Sequence, residues 1–121
     1  MKPCIKTIGD YSCWIEDTTA NGLIIVYEKD GKQSAIGESL IAPILMRWVW
    51  CNVPVNKRLK EARDTAKVIV STRKLPEEFV EPVTRYISLT DRTNEFGREN
   101  SKNWGKRASE TINHIGRVIF E

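Results

Sequence analysis

Histidine is almost absent from this chain, because His114 is the only one among its 121 residues. A metal site built from several histidines is therefore excluded. The H-E-x-x-H, Walker and G-x-G-x-x-G spacings are also missing, so nothing in the sequence indicates a zinc hydrolase or a nucleotide-phosphate site. We expect no cofactor and no bound metal ion.

Cysteines are few, and long apolar runs are missing. Cys4, Cys13 and Cys51 cannot all pair within one chain, and none stands in a C-x-x-C arrangement, so we expect them to be reduced. The longest apolar stretch, Leu40 to Met46, is too short to span a bilayer, and no secretory leader is recognisable. These features predict a cytoplasmic protein that does not act at a membrane.

Charge of either sign is moderate. The chain has 19 basic and 16 acidic residues, a formal charge of +3 and a pI of about 8.8. That balance permits an anionic partner without requiring one, because dedicated nucleic-acid-binding domains are usually more basic. Apolar residues make up 40% of the chain, so we expect residues 1–121 to fold as one globular domain.

Residues 4–37 have the pattern of antiparallel β structure, because branched and aromatic residues recur between turn signals. Gly9-Asp10 can close one tight hairpin. Asp30-Gly31 fits a type I′ turn, whose two central residues both need positive φ. A loop from Asp17 to Gly22 would join the two hairpins. The segment is therefore predicted to form a short antiparallel meander.

The rest of the chain spaces its apolar residues as helices do, which makes the predicted fold class α+β. The four predicted helices cover about residues 39–51, 56–70, 77–89 and 101–119. Ser39 and Asn56 are placed to cap the first two helices, and Leu59 begins the apolar stripe of the second. Residues 45–51 and 68–72 could alternatively be strands, since the second of these segments begins with three β-branched residues, Val68 to Val70.

Prolines and tryptophans add detail to the helices. Pro43 suits a helix only within its first turn, whereas Pro82 would suit a helix that begins close to it. Trp48 and Trp104 fall on the apolar faces of their helices, so we expect both to lie in the core.

Two patterns resemble parts of catalytic sites. Asp17 followed by Asp30-Gly31-Lys32 has the acid and acid-x-lysine spacing of a small metal-dependent nuclease. The alternative explanation is that Asp-Gly simply forms a hairpin turn that points into solvent. Thiol catalysis would need a cysteine beside His114, but Cys13 is expected to face the core. We therefore expect no enzymatic activity and keep the nuclease as an alternative hypothesis.

Basic residues alternate with tryptophan from the end of the first predicted helix into the second. Cations of this kind neutralise phosphates and an exposed indole stacks on an unpaired base, so the segment is a candidate nucleic-acid-binding surface. The same residue types are also common at protein interfaces. The residues of this alternative surface are Arg47, Trp50, Lys57, Arg58, Lys60 and Arg63.

A long polar segment precedes the last predicted helix. Segments of this length are uncommon unless they are functional, so we place the main partner-binding surface there and on the following helix. Its residues are Arg92, Arg98, Lys102, Lys106, Arg107 and Arg117. The leading hypothesis is a non-catalytic inhibitor, adaptor or accessory protein, such as those of phages and mobile elements, that binds a protein or a protein–nucleic-acid complex. Its partner and its oligomeric state are left open.

Overall fold

The structure is a computed structural model in which residues 5–18, 22–91 and 108–121 are described, with side chains of the last segment described from Ile112 onward. Its fold class is α+β, as predicted. The chain divides into two compact units. The sheet unit comprises Met1–Ile41 and Asn103–Glu121, and the helical unit comprises Ala42–Lys102. The organisation of residues 1–121 as one domain stays a prediction.

The sheet unit contains a four-stranded antiparallel meander, which confirms the prediction for this half of the chain. The strands are β1 Lys6–Ile8, β2 Tyr11–Thr18, β3 Gly22–Lys29 and β4 Lys32–Ile36, and they lie in the order β1-β2-β3-β4. Neighbouring strands are therefore joined by short connections, as expected for hairpins.

Two of the predicted turns have the backbone that their sequences require. Asp30 has φ 54° and Gly31 has φ 75°, so both central residues of the β3–β4 turn are left-handed, as in a type I′ hairpin. Gly9 has φ 58° between β1 and β2. The predicted loop from Asp17 to Gly22 is too long, because the β2–β3 ladder continues to a pair formed by Thr18 and Gly22.

Both faces of the sheet carry buried apolar side chains. Cys13, Ile15 and Ile25 on one face are at most 1% exposed, while Trp14 and Val26 pair on the other face and are also buried. A strand buried on both faces is typically an uninterrupted apolar run, and the sequence from Leu23 to Tyr27 in β3 has that form. The final helix, α4 Ala108–Phe120, packs against β2.

The helical unit holds most of α1 Glu38–Trp50, all of α2 Val55–Thr72 and α3 Val80–Thr90, and a 3₁₀ turn at Glu77–Phe79. Residues 45–50 and 68–72 are therefore helical, which decides the alternative that the sequence left open. The fourth predicted helix is confirmed from Ala108 onward, and its residues 101–107, including Trp104, lie outside the described residues.

Both predicted N-caps are wrong. Ser39 and Asn56 are the second residues of α1 and α2, because the helices begin directly after Gly37 and Pro54. Pro54 is extended and has no side-chain oxygen to cap α2. No side chain therefore caps the first turn of α2.

The position of Pro43 in α1 differs from the prediction, whereas the position of Pro82 in α3 agrees with it. Pro43 is the sixth residue of α1, and the helix continues through it. Its ring removes the bond that the Ser39 carbonyl would accept, but both residues are exposed, so water can solvate that carbonyl. Pro82 lies in the first turn of α3, because the 3₁₀ turn precedes the helix.

The buried stripe of α2 differs from the predicted stripe at its first position. Leu59 is 44% exposed, whereas Arg58, next to it in the sequence, is only 8% exposed. The stripe then continues as predicted through Ala62, Ala66 and Ile69. Trp48 is 1% exposed, which confirms it as a core residue. An arginine inside an otherwise apolar stripe needs polar partners, and these are found at the end of α1 and after α3.

No helix among the described segments has a stretch long and apolar enough to cross a membrane.

Candidate binding surface on the helical unit

Arg58 is held inside the helical unit by three hydrogen-bond partners. Its Nε donates to the Val53 carbonyl at 2.6 Å, and one terminal nitrogen donates to the Trp48 carbonyl at 3.0 Å. The other terminal nitrogen lies 3.3 Å from Oδ1 of Asp91, which is also buried. The guanidinium also lies over the Trp48 ring, 5.9 Å from its centroid. Arg58 therefore connects the ends of α1 and α3 to α2 and is not part of the exposed surface.

Two other arginines of the alternative surface face carboxylates. Arg47 on α1 forms an ion pair with Glu61 on α2, and the same carboxylate accepts a hydrogen bond from the Trp48 indole nitrogen. Arg63 on α2 lies 3.0 Å from Glu81 on α3. These arginines are about half exposed, but a neighbouring carboxylate offsets the charge of each.

The exposed end of α1 carries three large apolar side chains, which we call the α1 patch: Met46, Val49 and Trp50. Their exposed fractions are 58%, 67% and 81%. Val49 and Trp50 follow Met46 by three and four residues, so each is a neighbour of Met46 on the helix surface. Trp50 was a candidate from the sequence, whereas Met46 and Val49 were missed.

The missed residues had no clear sequence signal. Residues 40–50 are apolar apart from Arg47, so α1 has apolar side chains around its whole circumference and periodicity alone cannot identify the outer face. The structure identifies the inner face of α1 by Trp48, which is 1% exposed. Once Trp48 is known to face inward, helical geometry places residues 46 and 50 about 160° from it, on the outer face, and residue 49 about 100° from it, at the side.

A groove of about 590 Å³ lies between α2 and α3, and we call it the α2–α3 groove. It is entirely within the helical unit. Lys60 and Arg63 of the alternative surface line it, but their position beside α3 residues was not predictable from the sequence pattern. Its lining residues are Leu59, Lys60, Arg63, Glu81, Thr84, Arg85 and Ser88.

The main surface predicted from the sequence is largely outside the described part of the chain. Arg92, Arg98, Lys102, Lys106 and Arg107 are all among residues that the structure does not describe. Arg117 is described and is exposed on α4 in the sheet unit. The partner-binding role of this set stays a prediction.

The nuclease pattern is not brought together by the fold. Asp17 pairs with Leu23 at one end of β3, whereas Asp30 lies in the turn at the other end. Seven strand residues at about 3.3 Å each separate the two positions by roughly 23 Å, so one metal ion cannot bind both carboxylates. Among the described residues, no group of three or more histidine, cysteine or acidic side chains is arranged to hold a metal ion.

The described cysteines differ sharply in environment. Burial in the sheet raises the pKa of the Cys13 thiol to about 12, so this thiol stays protonated at neutral pH and is a poor nucleophile. Cys51 is exposed directly after α1. Neither forms a disulfide within the described residues.

Comparison with known proteins found no matching family model, and searches of curated proteins and of solved structures returned no significant match. The functional conclusion therefore depends on the chain's own residues.

Proposed function

We propose that this protein is a non-catalytic binding protein that covers a surface of another protein, as inhibitors, adaptors and accessory proteins do. The observation that carries the proposal is the α1 patch. A tryptophan that is 81% exposed beside exposed methionine and valine side chains presents apolar area to water without a packing partner in the described chain. Exposed apolar clusters of this kind mark interaction sites, and tryptophan is among the commonest hot-spot residues.

The charges around the α1 patch favour a protein partner over nucleic acid. Arg58 is buried, and Arg47 and Arg63 are each paired with a glutamate. Of the alternative surface, only Lys57 and Lys60 have no carboxylate partner among the described residues. Nucleic-acid binding usually requires several cations that neutralise phosphates, whereas a protein interface can be centred on one large apolar anchor. We place the protein in the cytoplasm, where its exposed thiol would remain reduced.

The test uses the exposed anchor and a matched control. Trp50→Ala removes the largest side chain of the α1 patch. Val68→Ala removes an apolar side chain that is 65% exposed on α2. Val68 lies thirteen residues, or about 20 Å of helix, from Val55, where α2 begins after α1. Both variants should remain folded, because neither side chain is buried. Proteins captured from lysate by the wild type and by Val68→Ala, but not by Trp50→Ala, are candidate partners.

The captured protein is then purified and titrated. Loss of a central tryptophan typically costs at least about 2 kcal/mol of binding free energy, which weakens Kd by roughly 30-fold. Val68→Ala should leave Kd unchanged. The proposal is refuted if capture depends on nucleic acid, as shown by its loss after nuclease treatment together with a steep decrease in affinity with salt. It is also refuted if Trp50→Ala binds every captured protein as tightly as the wild type.

A further inference from the structure

The α2–α3 groove combines a mainly apolar lining with three cationic side chains. Leu59 remains 44% exposed although it is aliphatic. Thr84 is 8% exposed, and its hydroxyl donates to the Val80 carbonyl at 2.7 Å, so the hydroxyl hydrogen is already used within α3. The groove therefore offers the aliphatic side chain of Leu59, and the Thr84 hydroxyl hydrogen is not available to a ligand.

The lining carries three cations and one carboxylate. The Glu81 carboxylate forms two ion pairs. One is with Arg63 of α2 at 3.0 Å, and the other is with Arg85 of its own helix at 3.7 Å. Lys60 is on the same side and is exposed. The formal charge of the lining is thus three positive minus one negative, or +2. Because each arginine has five N–H donors, the bonds to Glu81 do not exhaust what Arg63 can donate to a second anion.

The size of the groove suits a small molecule. Pockets for small ligands and cofactors usually measure about 300–1,000 Å³ and combine apolar walls with a few polar groups that fix orientation. The α2–α3 groove, at about 590 Å³, lies in the middle of that range. Arginine and lysine together bind carboxylates and phosphates, the arginine through a planar fork and the lysine as a point charge.

We propose that the α2–α3 groove binds a small amphipathic organic anion, with an aliphatic body against Leu59 and a carboxylate or phosphate group at Lys60, Arg63 and Arg85. The exposed aliphatic side chain of Leu59 determines the body of the ligand, and the net charge of +2 determines its head group. This site is separate from the α1 patch and does not depend on the proposed protein partner.

The experiment titrates the wild-type chain at low salt with octanoate and with octyl phosphate, following backbone amide chemical shifts. Acetate and inorganic phosphate supply the head groups without the aliphatic body, and octanol supplies the body without the charge. We expect octanoate or octyl phosphate to bind at least tenfold more tightly than all three controls. The shifted amides should belong to α2 and α3. The tighter of the two ligands identifies the head group.

Charge reversal locates the head group. Lys60→Glu should weaken binding of the preferred ligand by about tenfold or more, because it replaces a cation of the lining with an anion. Lys57→Glu makes the same charge change on the same helix but outside the groove lining, so it should weaken binding by less than about twofold. Leu59→Ser should weaken binding of the octyl ligand without affecting the weak binding of inorganic phosphate. Trp50→Ala should change nothing.

Several outcomes would overturn the proposal. Octanol binding as tightly as octanoate and octyl phosphate would show an apolar pocket without anion selectivity. Equal effects of Lys60→Glu and Lys57→Glu would show unspecific attraction by the net charge. An acidic peptide, hexaglutamate, that binds more tightly than both octyl ligands and depends equally on Lys60 would assign the groove to a protein segment. A result of this kind would not affect the Trp50 experiment, so the two proposals can fail separately.

Discussion

Removing the Arg58 guanidinium should destabilise the helical unit far more than removing an exposed arginine of the same helix. In Arg58→Met, an unbranched side chain of similar length keeps much of the packing, but Asp91 is left in the interior without this cation. The two side chains are only 10% and 6% exposed. Removing one partner of a buried ion pair typically costs about 3–5 kcal/mol, because the remaining charge stays desolvated.

The hydrogen bonds of Arg58 help to set this magnitude. The Trp48 carbonyl also accepts the Val53 amide at 3.0 Å, so it keeps a partner when the arginine is removed. The Val53 carbonyl loses the 2.6 Å bond from Arg58 Nε. A hydrogen bond to a charged group contributes about 1.5–3 kcal/mol. That contribution belongs to the same network as the ion pair and is not added to it, so we expect about 3–5 kcal/mol in total.

The assay is urea unfolding, followed by circular dichroism and by tryptophan fluorescence to check that the transitions coincide. Arg63→Ala is the control, because Arg63 and Glu81 are about half exposed and such surface pairs contribute about 0.2–1 kcal/mol. The double variant Arg58→Met with Asp91→Asn should be more stable than Arg58→Met alone, since it removes the buried negative charge together with the cation. A loss below about 1 kcal/mol for Arg58→Met, or a double variant less stable than the single one, would refute this reasoning.

Two further predictions concern the sheet unit and the thiols. Gly31→Ala should lower the free energy of unfolding by about 1–2 kcal/mol in a denaturant titration, because alanine is strained at a φ of 75°. The added Cβ would meet no atom within 4 Å, so the backbone strain is the only cost. An unchanged free energy of unfolding would contradict the strain argument. In a Cys4→Ser variant at pH 8, a thiol reagent should label Cys51 at once, whereas Cys13, with its pKa raised to about 12 by burial, should react only at the rate of unfolding. Rapid labelling of two thiols would show that the buried position is accessible.

The sheet could be predicted because its signals are local. The Asp30-Gly31 turn needs two left-handed residues, and few residue pairs other than Asp-Gly and Asn-Gly adopt that backbone readily. The error at the β2–β3 connection has a simple cause. Asp17 and Thr18 are polar and resemble a loop, but the Thr18 hydroxyl donates to the Gly22 carbonyl at 2.9 Å and the ladder extends to that pair.

The end of α2 could not be decided from the sequence because its signals conflict. The run from Val68 to Val70 favours a strand by side-chain branching. The helix nevertheless continues to Thr72, where it ends with Lys74 in a left-handed conformation at φ 55° and with the Leu75 amide bonded to the Val70 carbonyl at 3.0 Å. Helices that end in this way usually have glycine at the left-handed position, so the lysine at position 74 does not indicate a helix end in the sequence.

Arg58 was misassigned to the surface for a related reason. Among its partners are two backbone carbonyls, which carry no side-chain signature, and Asp91, which lies 33 positions later in the chain. Basic residues such as Lys57 and Lys60 surround it, and nothing in the local pattern separates it from them. Tertiary contacts alone make one cation of the run structural and leave the others on the surface.

The pairing of charges also limits what the alternative surface can contribute to nucleic-acid binding. If Lys57 and Lys60 both contacted phosphates, about two counterions would be released, and the logarithm of affinity would fall with the logarithm of salt concentration at a slope of about −1.8. Raising salt from 50 to 200 mM would then weaken binding only about 12-fold. Proteins with 6–10 phosphate contacts lose about 10³–10⁵-fold over the same range. A steep salt dependence would therefore have to come from cations outside the alternative surface, whereas binding centred on Trp50 needs none.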